Sequence, residues 1–259
     1  MLIVATSNLL AEGPYSKIRG GVAQGPILPL DVRLLLFKKY LEKRSDTDVF
    51  LFQEIDNHWE NALKEFSQST GYSFIVRPCR KLKIGIAFKS NRFENCQIQA
   101  HHKEAGFLSI DIFDKSLNTP IRLVNVHADW GKAKDFANRF HEIFQTQGEP
   151  VIIGGDFNLD NILENENKSF FDELISQHDY MELNSDVPFT AKYVKNASQA
   201  VKLDLLISKN IQSYSSVSIY PEDFNKLLPH TIDPLFNPKD PNNHYSDHVI
   251  LTCSVSYAA

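Results

Sequence analysis

Residues Ile84 to Val126 read IGIAFKSNRFENCQIQAHHKEAGFLSIDIFDKSLNTPIRLVNV, and this stretch decides the fold class. Three runs within it, Ile84 to Phe88, Phe107 to Phe113 and Ile121 to Val126, are rich in branched and aromatic residues and end at polar or turn residues, as strands do. Little helical sequence separates them. Parallel neighbours need a long crossover, so this cluster is expected to pair antiparallel.

The same reading extends outward to Leu2 to Thr6, Val49 to Phe52, Val151 to Ile153, Leu203 to Ser208 and Val249 to Val255 as strands. Helical spacing appears in Asp31 to Lys43, Asn57 to Gln68, Ala133 to Gln145 and Ser169 to Gln177, with Asp31 and Asn57 as expected N-caps and Gly71 just past the second helix. Two antiparallel-rich sheets packed face to face, with helices on their outer faces, accommodate both kinds of connection. One segment stands apart: Ile219 to Tyr245 carries five prolines and is expected to be a long, partly stiffened loop.

The chain has 259 residues, 42% of them hydrophobic and 23% charged, the balance of a globular protein with a sizeable core. That length fits one domain over residues 1–259. No apolar run approaches a membrane span, and MLIVATSNLL lacks the basic start and the length of a secretion signal, so an intracellular, cytoplasmic protein is expected. Asn167 and Asn196 formally match glycosylation acceptors, read as chance matches without such a signal. The net charge of −5 disfavours broad binding to duplex DNA. Cys79, Cys96 and Cys253 are widely spaced and form no CxxC pair, which points to reduced thiols rather than a disulfide framework or a cysteine-bound zinc.

Strand ends carry residues that apolar packing does not require. Asn8 follows the first strand, Gln53 and Glu54 the second, and His127 closes Ile121 to Val126. Asp156 and Asn158 follow Val151 to Gly155, Asp204 interrupts the apolar KLDLLIS, and Ser246, Asp247 and His248 precede the last strand. Each alone reads as a cap, a turn, a salt-bridged strand residue or a surface histidine. Their recurrence at strand ends points to chemistry.

The chemistry that needs this mixture is attack on a phosphorus ester, because carboxylates alone would repel an anionic diester. Mg²⁺, with Mn²⁺ as the alternative, resolves that conflict: it takes hard oxygen ligands and few carboxylates, which suits Glu54 with an amide oxygen from Asn8. A histidine can accept the proton of attacking water while a buried carboxylate fixes its tautomer, and His248 with Asp204 fits that pairing. Asp247 points to the opposite side of an extended segment from His248, so it is read as a further metal contact. Asp156 could protonate or stabilise the leaving oxygen or orient the water, and Asn158 and His127 could donate to the phosphorane.

These segments resemble the endonuclease/exonuclease/phosphatase superfamily, the DNase I-like fold shared by nucleases, deadenylases, sphingomyelinases and inositol-polyphosphate 5-phosphatases. The resemblance rests on ATSNLLAE, LFQEID, VNVHADW, IIGGDFNLD, KLDLLIS and YSDHVIL, in that order along nearly the whole chain. It implies an α/β fold, a four-layer sandwich, metal-dependent hydrolysis, and the roles above for Asn8, Glu54, His127, Asp156, Asn158, Asp204, Asp247 and His248. Ser7 stands where many members have an aromatic residue, and LDNILENENKS after the GDFN motif is acidic and polar.

Substrate choice then falls to loops. In Glu12 to Leu30, Lys17 and Arg19 offer a phosphate contact or solvated loop charge. Arg77, Arg80, Lys81 and Lys83, read as a segment before the strand Ile84 to Phe88, form a positive patch on an acidic protein that could guide a single strand or a polyphosphate. Trp130, followed by Lys132 and Lys134, offers a stacking face or packs in the core. The leading expectation is a nuclease-type phosphodiesterase for single-stranded nucleic acid or nucleotides. A lipid or inositol phosphoesterase and a non-catalytic binding module are the alternatives.

Overall fold

A computed structural model of the chain describes residues 1–11, 28–128, 148–158, 172–173, 175–188, 190–192, 200–222, 246 and 248–257. Arg19, Trp130 and Asp247, the expected helix at 133–145 and most of the proline-rich segment lie outside the described residues.

One sheet holds β1 (Leu2–Asn8), β2 (Val49–Ile55), β3 (Tyr72–Cys79), β4 (Leu82–Lys89), β13 (Ser213–Tyr214), β14 (Ser218–Tyr220) and β15 (Ile250–Ser256) in the order β13-β15-β1-β2-β4-β3, with β14 also on β15. The second holds β5 (Phe93–His102), β6 (Phe107–Asp114), β7 (Thr119–His127), β8 (Val151–Asp156), β9 (Met181–Glu182) and β12 (Asp204–Lys209) in the order β5-β6-β7-β8-β12-β9. The short pair β10 (Ala191–Lys192) and β11 (Ala200–Val201) lies apart. The architecture is the expected α/β sandwich of two mixed, mostly antiparallel sheets. Each sheet contains one parallel pair, β1 with β2 and β7 with β8.

Strand alternation sorts the core into layers. Leu2, Val4, Val49, Leu51, Leu123, Ile152 and Leu206 meet between the sheets. Phe50 and Phe52 turn outward to Phe37, Leu41, Trp59 and Leu63 of helices α1 (Leu30–Lys43) and α2 (Asn57–Thr70). Val124, Val126, Val151 and Ile153 form the outer cluster of the second sheet, against which Ile175 packs. Gly154 keeps the sheets close: a Cβ there would lie 2.7 Å from Leu206 Cδ2 and 2.8 Å from Leu51 Cδ1.

The structure corrects several expectations. Strands β3 and β5 were not expected, and the basic segment before Ile84 is the end of β3, a tight turn and the start of β4. Ile219 and Tyr220 belong to β14 rather than to a loop. The N-cap of α1 is Pro29, with Asp31 inside the first turn. That of α2 is Asp56, whose carboxylate accepts from the N–H groups of His58 and Trp59, one residue before the expected Asn57. Gly71 closes α2 in the left-handed conformation, as expected.

Candidate active site

The inward-facing positions of the central strands change character toward one end. Along β1 they run Leu2, Val4, Thr6, Asn8; along β7, Ile121, Leu123, Asn125, His127; along β8, Ile152, Gly154, Asp156. The parallel registers place Asn8 beside Gln53 and His127 beside Asp156, and β12 begins with Asp204 opposite Asp156. The crevice thus forms at the carboxyl ends of the two parallel pairs.

Glu54 reaches this crevice because the chain bulges between Phe52 and Ile55, with Glu54 at φ 54°. The bulge breaks the alternation and aims its side chain at the other sheet. Its Oε1 accepts from Asn8 Nδ2 at 3.2 Å and its Oε2 from the Ala11 N–H at 3.2 Å. Asn8 Nδ2 also donates to Asp156 Oδ2 at 2.9 Å. The Asn8 amide oxygen, an expected metal ligand, accepts from the Leu10 N–H at 2.9 Å.

His127 Nε2 lies 3.7 Å from Glu54 Oε1 and 3.9 Å from Asp156 Oδ2. Its backbone N–H is held by the Gly106 carbonyl at 2.7 Å, and its Nδ1 faces the Cys79 thiol at 3.9 Å. Burial, then the charges of Arg80 and His248, hold its pKa well below the usual value, so the imidazole is neutral at neutral pH. Asn158, at φ 51°, donates its Nδ2 to the Ala128 carbonyl at 2.8 Å, and its backbone N–H to Asp156 Oδ1 at 2.9 Å.

The expected histidine–carboxylate pair is present. His248 Nδ1 donates to Asp204 Oδ2 at 2.8 Å, which turns Nε2 toward Asp156 Oδ2, 3.9 Å away. Three residues outside the expected site set hold this pair. The Ser246 hydroxyl accepts from the His248 N–H at 3.2 Å, the Thr190 hydroxyl from the N–H groups of Leu203 and Asp204 at 2.8 and 2.9 Å, and the Asn184 side chain donates to the Asp204 carbonyl at 3.1 Å. Ser246 was legible as part of SDH. Nothing in the sequence around Thr190 or Asn184 marks them, because their partners are backbone groups distant along the chain.

Burial pushes the Asp156 carboxyl up to about 7, with the neighbouring negative charges of Asp204 and Glu54 adding to the shift and His248 and the Asn8 amide opposing it. A cation fits this surplus of buried negative charge. Ligand atoms of Glu54, His127 and Asp156 lie within 4.8 Å of one another, as do those of Asp156, Asp204 and His248. Arg80 sits at the rim. Its Nη2 donates to the Ala128 carbonyl at 3.3 Å, the acceptor that Asn158 also uses, while its Nη1 is buried with no hydrogen-bond partner among the described residues.

The sequence profile of the Endonuclease/Exonuclease/phosphatase family matches residues 6–196, and the chain belongs to that family. Members act on phosphodiester or phosphate substrates, nucleic acids among them, and commonly use divalent metals. No curated protein matches the chain. Among solved structures it is similar to an endonuclease/exonuclease/phosphatase from Bacteroides vulgatus (14% identity, 99% of each chain covered, TM-score 0.69). The human nocturnin catalytic domain is similar at 17% identity over 98% of this chain and 93% of that one, with TM-score 0.67. A mannosyl-6-phosphatase from Bacteroides thetaiotaomicron is similar at 16% identity over 99% of this chain and 100% of that one, with TM-score 0.64. At such identities the likeness concerns the fold. No helix among the described residues is long and apolar enough to cross a membrane.

Proposed function

We propose that this chain is a single-domain, Mg²⁺-dependent phosphodiesterase of nuclease type, acting on single-stranded nucleic acid or nucleotides. The observation that carries the reading is the buried His248–Asp204 pair at 2.8 Å, with the other ring nitrogen 3.9 Å from Asp156 Oδ2. A divalent ion held by Glu54 and Asp156, with Asp247 as a further ligand, would neutralise the phosphate and stabilise charge developing on its oxygens. His248 Nε2 takes a proton from water as the water oxygen bonds to phosphorus, and Asp204 stabilises the resulting imidazolium. The bond from phosphorus to the leaving oxygen then breaks; Asp156, ionised once it holds the cation, helps to place the positive charge that would stabilise that oxygen, and the oxygen takes its proton from solvent.

Neutral His127 and Asn158 serve as donors to the remaining phosphoryl oxygens. Asn8 braces Glu54 and Asp156 through its Nδ2, and its amide oxygen, which accepts from Leu10 with one lone pair, has a second for the cation. Arg80 supplies positive charge at the rim, with Arg19 and Trp130 as further substrate contacts. The chain's net charge of −5 supports a single strand or a nucleotide over duplex DNA.

The test is hydrolysis of single-stranded RNA, single- and double-stranded DNA, a nucleotide diester, sphingomyelin, inositol polyphosphates and a sugar phosphate, with Mg²⁺, with EDTA and with His248→Ala. Turnover of single strands or the nucleotide diester, lost with EDTA and reduced about 10²–10⁴-fold by His248→Ala, is expected. Turnover confined to the lipid, inositol or sugar phosphates would replace the substrate class, and silence from folded protein would favour a binding module.

A further inference from the structure

Arg33 is fully buried in α1, far along the chain from every residue assigned above. Its guanidinium stacks over the Trp59 ring, 5.4 Å from Cζ to the centroid. From there Nη2 donates to the carbonyls of Leu9, at 2.8 Å, and Leu10. Those two carbonyls belong to the peptide groups Leu9–Leu10 and Leu10–Ala11, and each planar trans peptide points its N–H opposite to its C=O. The N–H of the first is the donor to Asn8 Oδ1, and that of the second is the donor to Glu54 Oε2. The cation on the carbonyl side therefore orients both peptides and, by polarising them, strengthens the donors on the site side.

The segment also needs such a grip. Leu10 stands at φ 55°, a conformation a leucine does not adopt without support from its surroundings. Leu9 ties the turn to the neighbouring strand through its N–H to the Gln53 carbonyl at 3.1 Å, one residue before Glu54. Three consecutive amides thus tie the turn to Gln53, Asn8 and Glu54 in succession, and two of their peptides are held from behind by one arginine.

We infer that Arg33 is a positioning residue for the cation site: by gripping the Leu9 and Leu10 carbonyls it sets the two peptide N–H groups that fix the Asn8 amide and the Glu54 carboxylate before any metal arrives. The inference rests on Glu54 as a metal ligand. It assigns to α1, on the outer face of the sheet, control over metal affinity on the inner face.

The test measures Mn²⁺ binding by electron paramagnetic resonance, on folded wild type, Glu54→Gln, Arg33→Met, Arg33→Lys and Phe37→Leu, a packing control in the same helix. Arg33→Met is expected to weaken Mn²⁺ binding about 10–100-fold, Arg33→Lys to recover part of it, and Phe37→Leu to lower stability alone. Wild-type affinity in a folded Arg33 variant would overturn the inference. Absence of Mn²⁺ binding by wild type would overturn the metal reading beneath it.

Hydrogen exchange on metal-free wild type supplies an answer that needs no variant to fold. The Leu10 and Ala11 amides are expected to be protected before metal is added. Exchange at the rate of an open loop would show that the grip is not preformed and would overturn the inference.

Discussion

Asp204 enters its strand as a charge among Leu203, Leu205 and Leu206, and His248 stands 44 residues further on, yet their side chains meet at 2.8 Å. The carboxylate holds the Nδ1–H tautomer, and an amide in its place offers the ring a different hydrogen-bonding choice. Asp204→Asn should lower kcat about 10²–10⁴-fold with little effect on Mg²⁺ affinity. If the pair acts as one unit, adding His248→Ala to Asp204→Asn costs little more than either alone; additive losses would separate their roles. Asp156 makes a prediction in protons. Burial raises its pKa to about 7, so below that pH it holds a proton in metal-free protein, and an incoming cation must displace it. Mg²⁺ affinity should therefore rise as pH rises toward and through 7, and proton release on binding should be larger at pH 6 than at pH 8. Calorimetry in buffers of different ionisation enthalpy measures that release; no pH dependence of it would mean Asp156 is already ionised.

At the scale of elements, much was legible in the sequence. Apolar runs in LIVAT, VFLF and VIIGGD announce strands that are buried on both faces, and Asp204 in KLDLLIS with His248 in SDH announces the pair that meets at 2.8 Å. What escaped has physical reasons. Strand β5 is an edge strand with mostly exposed or half-exposed side chains, so FENCQIQAHH carries little apolar signal, and β3 ends in a basic stretch that masks its alternation. The Glu54 bulge follows from no residue type, since its left-handed residue is a glutamate rather than a glycine. Helix α2 offers a test away from the site. Asp56 caps two N–H groups, and Asp56→Ala should cost about 1 kcal/mol in stability by denaturant titration while leaving turnover intact.

Across the whole molecule, the sheets are joined by polar contacts at both ends of the apolar core. At the site end, Gln53 donates to Asn125 Oδ1 at 2.6 Å, and Asn125 donates to the carbonyls of Phe52 and Gly85 at 2.9 and 2.7 Å. At the other end, Arg92 binds Asp48, next to the first sheet, and Asp114, at the end of β6 in the second, at 2.7 and 2.6 Å, and Tyr257 adds a bond to Asp114 at 3.1 Å. Asp114 is fully buried, so removing Arg92 leaves it without a counter-charge, held only by the Tyr257 hydroxyl and the Ser116 N–H among the described residues. Arg92→Met should lower stability by about 3–5 kcal/mol, measured by denaturant unfolding, with Mg²⁺ affinity of the folded fraction unchanged. A matching loss of Mg²⁺ affinity would show instead that the two ends of the sandwich are coupled.

The inward-facing columns have one more consequence. In β1, β7 and β8 the candidate site residue is the last member of a column whose lower members are core side chains. A slip of one residue in any of these strands would exchange the two faces. Val126 would then stand where His127 belongs, and Gly155 where Asp156 does. The proposed hydrolysis would therefore double as a proofreading signal for strand alignment: a molecule folded one step out of register would bury its chemistry and expose its core in the same error.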